Sequence, residues 1–424
     1  MIPDGPGVEP AGTTPRPDVG LSPPPSPVPH DSGDGVTTKP ASELCSTEQS
    51  GSRPAAADQG DSTTNHVDPI STHTFAPGAL TRVRDRCERR RSATKGGNDF
   101  CPFPTVTAKP SWIDQQFDWQ GRVLVEKDQQ SGAKPLGCAW FIGDVHGDLV
   151  GLLAALEFIR SQKEYRDHDI IVLLGDLIDD LAESHEVLAE VSERLQRDER
   201  LLVIAGNHDV ALEYCDERGF GASVDPSDFS RYLQQLWECE ESIREVSHRL
   251  ARSFIEYIAN APVALFLRDG TIVAHGGVPH TDMTQKVLQE NWGELPEVWS
   301  DFIWARLHPR AKRRIAVTGT RSRELGAADF HAFTEVMGTK LGFKPTRMIR
   351  GHDHIDERFE IYGGPWKGAV LTINSMSWKL PREIGVDGPR DPCVAQWRPN
   401  EPIQPYVIKL DRAWRAGLQP GSLA

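Results

Sequence analysis

Apolar runs that break at glycine into polar residues recur along this chain. Leu136-Gly-Cys-Ala-Trp-Phe-Ile142 is almost wholly apolar and leads into Gly143-Asp-Val-His-Gly-Asp148. A strand covered on both faces of a sheet reads this way. Leucines at helical spacing follow from Leu149 to Arg160. Asp169-Ile-Ile-Val-Leu-Leu174 repeats the plan, running into Gly175-Asp-Leu-Ile-Asp179 and a helix expected from about Leu181 to Gln196. Arg200-Leu-Leu-Val-Ile-Ala205 does so again before Gly206-Asn-His-Asp209. Strands alternating with helices predict an α/β sheet whose ligand-bearing loops sit at the carboxyl ends of the strands.

The remaining pattern extends this sheet. Arg122 to Glu126 alternates as a short strand, and order is expected to begin near Ser111. Pro226 to Ile258 is helical and charged, which suggests a helical insertion at about 226–259. Val263 to Leu267 and Thr271 to Ala274 flank Arg-Asp-Gly, a hairpin signal. A helix over Asp329 to Lys340 precedes a strand at Thr346 to Arg350, and Gly368 to Asn374 and Tyr406 to Leu410 read as closing strands. Residues 1–108 are rich in Pro, Ser, Thr, Gly and Asp, and predict a disordered arm ahead of a domain over 109–412 and a tail over 413–424. Within the arm, the basic stretch Arg82 to Arg91 reads as a solvated linker or as a docking patch for an acidic partner.

Charge and cysteine usage narrow the class. The 47 basic and 61 acidic residues leave a net charge of -14, which disfavours nucleic acid and anionic membranes as partners. The 424 residues allow two average domains or one large one. Seven cysteines without a CxxC pair suit a reducing compartment. No apolar run reaches spanning length, and Met1-Ile-Pro-Asp-Gly-Pro is unlike a signal peptide. A cytoplasmic location is the expectation.

The polar residues after the strands form a candidate two-metal site. Asp144 and His146 can hold one ion, and Asp176 suits a bridging position. Asn207, His275 and His352 can hold the second, with His354 reaching back to the first. Imidazoles and carboxylates without thiolates fit manganese, iron or zinc equally. His208 suits a general acid and Asp179 its orienting partner.

The series GDVHGD, GDLID, GNHD, AHGG and GHDH resembles the calcineurin-like metallophosphoesterase family, in the same order over about residues 138–380. The resemblance implies a four-layer α/β/β/α sandwich, a dinuclear metal site and a metal-bound hydroxide attacking phosphorus. It assigns the ligand roles to Asp144, His146, Asp176, Asn207, His275, His352 and His354, with His208 and Asp179 in support. Ala274-His-Gly-Gly-Val, Phe302-Ile-Trp-Ala-Arg306, Ile349-Arg-Gly-His352 and Thr372-Ile-Asn-Ser375 are similar to the phosphoprotein phosphatase branch. Two residues depart from that branch. Asp180 stands where it has a phosphate-gripping Arg, either to cap the following helix or to face the site. His354 is a ligand that phosphodiesterase members use and that branch lacks. Asn207 and Arg321 or Arg323 are the residues expected to contact substrate.

The expected activity is hydrolysis of a phosphate monoester, on a phosphoprotein or a small metabolite. A phosphodiesterase or dinucleotide-polyphosphate hydrolase is the alternative. A non-catalytic metal-binding scaffold, docking partners through the N-terminal arm, is the other.

Overall fold

The computed structural model describes residues 71–418 except for 76–77, 96–101, 105–110, 129–131, 133–135, 164, 167–168, 198, 237–240, 309–323, 384, 412–413 and 416–417. Two large sheets carry the structure. The first runs in the order Ser71–Thr74, Gln404–Lys409, Cys393–Trp397, Ala139–Ile142, Ile170–Leu173 and Leu201–Val203. The second has seven strands, in the order Phe359–Ile361, Val370–Ile373, Arg347–Arg350, Thr271–Ala274, Ala264–Phe266, Val123–Glu126 and Phe117–Gln120.

Residue alternation explains why these sheets stack. Successive strand side chains point to opposite faces. Phe141, Val172 and Leu202 from the first sheet share one apolar cluster with Leu265, Val273, Ile349 and Leu371 from the second. Their neighbours Trp140, Ile171 and Val203, with Phe266, Ile272 and Met348, belong instead to the cluster that packs on helices. Leu152 and Leu156 of helix Leu149–Ser161, with Val187 and Val191 of Ser184–Gln196, cover the first sheet. On the second, Phe266 meets Phe302 and Phe333 at ring distances of 6.1 and 6.4 Å. The result is the four-layer α/β/β/α order. Each such aliphatic or aromatic side chain contributes about 1.5–3 kcal/mol by burial.

Three expectations need correction. The N-terminal arm does not stay separate through residue 108. Ser71–Thr74 pairs in parallel with Tyr406 to Lys409, and Ala79–Lys95 is a helix. Ala79, Val83 and Cys87 recur every four residues and are all buried. That stripe is a helical signal which the polar composition of the surrounding segment obscures. The basic stretch is not a solvated linker, because its arginines are engaged within the domain. Arg90 Nε and Arg86 Nε lie 2.7 and 2.9 Å from Glu190 Oε2, and Arg91 Nε lies 2.5 Å from Glu183 Oε1.

The helix expected from Leu181 begins only at Ser184. Asp179 and Asp180 have φ of 71 and 64°, left-handed values that cannot start a right-handed helix. The tail is not separate from the domain either. Arg415 donates to the Leu410 carbonyl at 2.6 Å, and Leu418 is buried. The expected insertion contains helices Asp228–Gln235 and Glu241–Asn260. No described helix is long and apolar enough to cross a membrane.

Candidate active site

The polar motifs gather at one edge of the sandwich because each follows a strand. Asp144 lies just past Ala139–Ile142 and forms a parallel bridge with Asn374, where the two sheets meet. Val145 and His146 donate backbone N–H groups to the Asp176 carbonyl at 3.1 and 2.8 Å, lacing the first two loops together. Asp209 laces the second to the third, accepting from the N–H of Asp176 and Leu177 at 2.9 Å each. His352 N–H donates to Asp144 Oδ2 at 2.9 Å, and a Cβ on Gly351 would run into that carboxylate. His146, Asp176, Asp179, Asp180 and His352 all have positive φ, between 44 and 71°. Left-handed backbone at non-glycine residues costs about 1–3 kcal/mol each and clusters at functional sites.

Three sets of ligand atoms form among the described residues. Asp144, His146 and His354 offer one, Asp176, His275 and His352 another, and the third, His146, Asp180 and His208, flanks the first, with each set within 4.8 Å. His146 Nε2 is 3.4 Å from Asp176 Oδ2 and 3.2 Å from His354 Nε2. Asp176 Oδ2 is also 3.3 Å from His275 Nε2, so this one carboxylate borders the first two sets. Asn207 directs one amide atom to within 2.7 Å of His352 Nδ1, 2.9 Å of His275 Nε2 and 3.1 Å of Asp176 Oδ2. With the amide nitrogen there, these atoms share its hydrogens. With the oxygen there, four lone-pair donors face one point, an arrangement that a cation reconciles.

Burial and mutual charge set the titration of these groups. Burial pushes the Asp144 and Asp209 carboxyls up to about 7 each, and the Asp176 charge adds to both. Burial holds His146 and His352 well below the usual imidazole range and His354 at about 4, so their ring lone pairs are available as metal binding requires. Burial would also lower His275, but Asp176 holds it up at about 9. His275 Nδ1 is 2.8 Å from the Leu174 carbonyl, which aims Nε2 at the centre. The residues present therefore fit two divalent ions.

His208 is placed beside this centre rather than in it. Its Nδ1 is 2.8 Å from Asp179 Oδ2, while Asp179 Oδ1 accepts from Phe229 N–H at 2.9 Å. Helix Asp228–Gln235 thus fixes the carboxylate that fixes the imidazole. Burial would lower His208, but Asp176, Asp179 and Asp180 raise it above the ordinary value.

Asp180 is not a helix cap. Its side chain is fully buried, with Oδ2 3.2 Å from His146 Nδ1 and 3.1 Å from Arg382 Nη2. The carboxylate therefore lies between the His146 imidazole and the Arg382 guanidinium. Arg382 has no local motif to announce it and was not among the expected site residues. Arg321 and Arg323 lie outside the described residues.

Comparison with known proteins agrees with this architecture. The chain is similar to a protein serine/threonine phosphatase from Saccharomyces cerevisiae, at 12% identity and a TM-score of 0.44, covering 80% of this chain and 91% of that one. It is also similar to a cold-active protein-tyrosine phosphatase of a psychrophilic Shewanella species, at 13% identity, TM-score 0.39, and 68% and 79% coverage. A putative diadenosine tetraphosphatase matches at 15% identity, TM-score 0.34, and 68% and 99% coverage. The family model described as calcineurin-like phosphoesterase matches residues 139–356, about half of the chain and nearly every motif above. The chain belongs to the calcineurin-like phosphoesterase family, and it is a hydrolase of phosphate esters.

Proposed function

We propose that this protein hydrolyses phosphate monoesters, on a phosphoprotein or a small phosphorylated molecule, with two divalent ions such as manganese. The observation that carries the reading is the convergence of Asp176, Asn207, His275 and His352 on one point beside the Asp144, His146 and His354 group. Bound ions would polarise phosphoryl oxygens and acidify a water. Asp144, His146 and His354 would hold one, Asn207, His275 and His352 the other, and Asp176 both. Asp179 keeps His208 Nδ1 occupied, which leaves Nε2 to give a proton to the departing oxygen.

One observation favours a second reading, a phosphodiesterase or dinucleotide-polyphosphate hydrolase. His354 Nε2 stands 3.2 Å from His146 Nε2, as an additional ligand for the first ion. The test is a panel of aryl monoester, aryl diester, phosphopeptide and dinucleoside polyphosphate with manganese-loaded full-length protein. The monoester reading expects the highest kcat/KM on a monoester and loss of activity on chelation. A preference for diester or polyphosphate selects the second reading, and absence of turnover on every ester overturns both in favour of a metal-binding scaffold.

The proposal includes a reducing, cytoplasmic setting, which suits the free Cys87, Cys138, Cys215 and Cys393. Partner docking by the N-terminal segment would fall to the residues before Ser71, since arginines of the basic stretch are engaged by Glu157, Glu183 and Glu190.

A further inference from the structure

Arg382 lies beside the site, and the proposed chemistry leaves it without a role. It comes from the segment after Leu380-Pro381, far in sequence from every metal-ligand motif. Its Nη2 is 3.1 Å from Asp180 Oδ2 and 3.5 Å from His208 Nε2, and Nη1 donates to the Asp225 carbonyl. The guanidinium is therefore anchored through a carboxylate that also touches His146, and it faces the nitrogen from which His208 would release its proton. The Arg382 side chain is 44% exposed, whereas that of Asp180 is fully buried. Solvent, and so a ligand, reaches the guanidinium from the open side.

We propose that Arg382 binds the substrate's phosphate group, with Asp180 as its positioning partner. The inference rests on the phosphoesterase reading above, and deepens it by naming the residue that recognises the anion. Pairing with a buried carboxylate does not by itself account for a guanidinium left 44% open to solvent. A phosphate whose leaving oxygen meets His208 Nε2 brings its other oxygens within reach of a planar fork of N–H donors. Arg306, 46% exposed and held by Asp353 at 2.7 Å, adds positive charge near His352 and His354. Asp180 does not repel a phosphate dianion as an isolated carboxylate would, because Arg382 balances its charge.

The test reads binding directly, apart from turnover. Inorganic phosphate is titrated calorimetrically into manganese-loaded full-length protein, as wild type, Arg382→Ala, Arg382→Lys and Arg231→Ala. Arg231 is an exposed arginine on the neighbouring helix, paired with Asp228. Arg382→Ala is expected to weaken phosphate binding about 10–100-fold, the range for hydrogen bonds to a charged group. Arg382→Lys falls between, since a point charge replaces the fork, and Arg231→Ala matches wild type. Unchanged affinity in Arg382→Ala overturns the proposal, as does an equal loss in Arg231→Ala. If Arg382→Ala loses metal or fold, Arg382→Lys decides, and wild-type affinity there overturns it. Wild type that binds phosphate through Arg382 yet hydrolyses no ester refutes the proposed function alone. Turnover with phosphate binding indifferent to Arg382 refutes this inference alone.

Discussion

Two buried clusters of charge in this protein both contain carboxylates but surround them with different partners. At Glu190, burial would raise the carboxyl, but Arg194, Arg90 and Arg86 hold it down at about 2. At the ligand edge, burial pushes Asp144 and Asp209 up to about 7, and Asp176 reinforces the rise in both. One acid meets three guanidinium groups; in the other cluster, three acids crowd among imidazoles. A cluster balanced by its own side chains fastens one helix to another. A cluster left electron-rich holds a place for a cation. Burial is common to both, so the balance of partners separates structural from functional charge.

Substitutions can break this contrast, and the largest effect is expected at the shared ligand. Asp176→Asn should lower kcat roughly 10⁴-fold, equal to about 5.5 kcal/mol of activation free energy, and lower metal content with it. Elemental analysis beside a rate assay checks this, and full activity with normal metal would end the two-ion account. His208→Ala is expected to slow turnover roughly 10²–10⁴-fold while metal content holds, since His208 lies beside the ligands. The loss should shrink for an ester with a good leaving group, which needs the proton less. Equal losses across leaving groups would remove His208 from the acid role.

Breaking the balanced cluster should act on stability instead. Glu190→Gln removes the buried carboxylate that Arg90 and Arg194 share, leaving them Glu193 and Glu199, and should cost about 3 kcal/mol in urea unfolding, with kcat in the remaining folded protein unchanged. The sign with pH follows from a depressed carboxyl. The contribution of Glu190 is complete above its unfolded value of 4.5 and fades as pH falls toward about 2. The gap between wild type and Glu190→Gln should therefore narrow on acidification across that window. A constant gap would show that the arginines do not hold Glu190 charged. The smallest effect belongs to Asp180→Asn, where loss of the carboxylate behind His146 should weaken manganese binding about 10–100-fold. Unaltered manganese affinity would leave Asp180 with Arg382 as its sole partner of consequence.

The ligand edge was legible because its signals are local. An apolar run, a glycine and a ligand lie within a few residues of each other, and strand order brings five such loops together. The strands Ala139–Ile142, Ile170–Leu173, Leu201–Val203 and Thr271–Ala274 followed from period and turn residues in the same way, whereas Cys393–Trp397 and Phe359–Ile361 did not. At Asp180 the sequence left cap and site-facing positions both open, because its placement depends on a left-handed φ of 64° that no pattern of residue types encodes. Arg382 reaches the site only through the fold, 202 residues from its partner Asp180. The helix Ala79–Lys95 did carry a signal, in Ala79, Val83 and Cys87. It was lost when the segment was judged by its average polarity, and Glu190, its buried counterpart, lies about a hundred residues away.

The parallel pairing of Ser71–Thr74 with Gln404–Lys409 and the antiparallel pairing of Cys393–Trp397 with Ala139–Ile142 have a consequence for assembly of the chain. The strand that leads into Asp144 gains one neighbour from nearby sequence and the other only after most of the polypeptide has been made. Closing so long a loop costs entropy before any pairing returns it, which places this step late and makes it slow. On the ribosome, the loops bearing Asp144, His146 and Asp176 emerge well before the strand that completes their sheet. Until then, the nascent chain leaves one flank of Trp140 and Phe141 unpaired, and the sheet edge that carries Asp144 is incomplete.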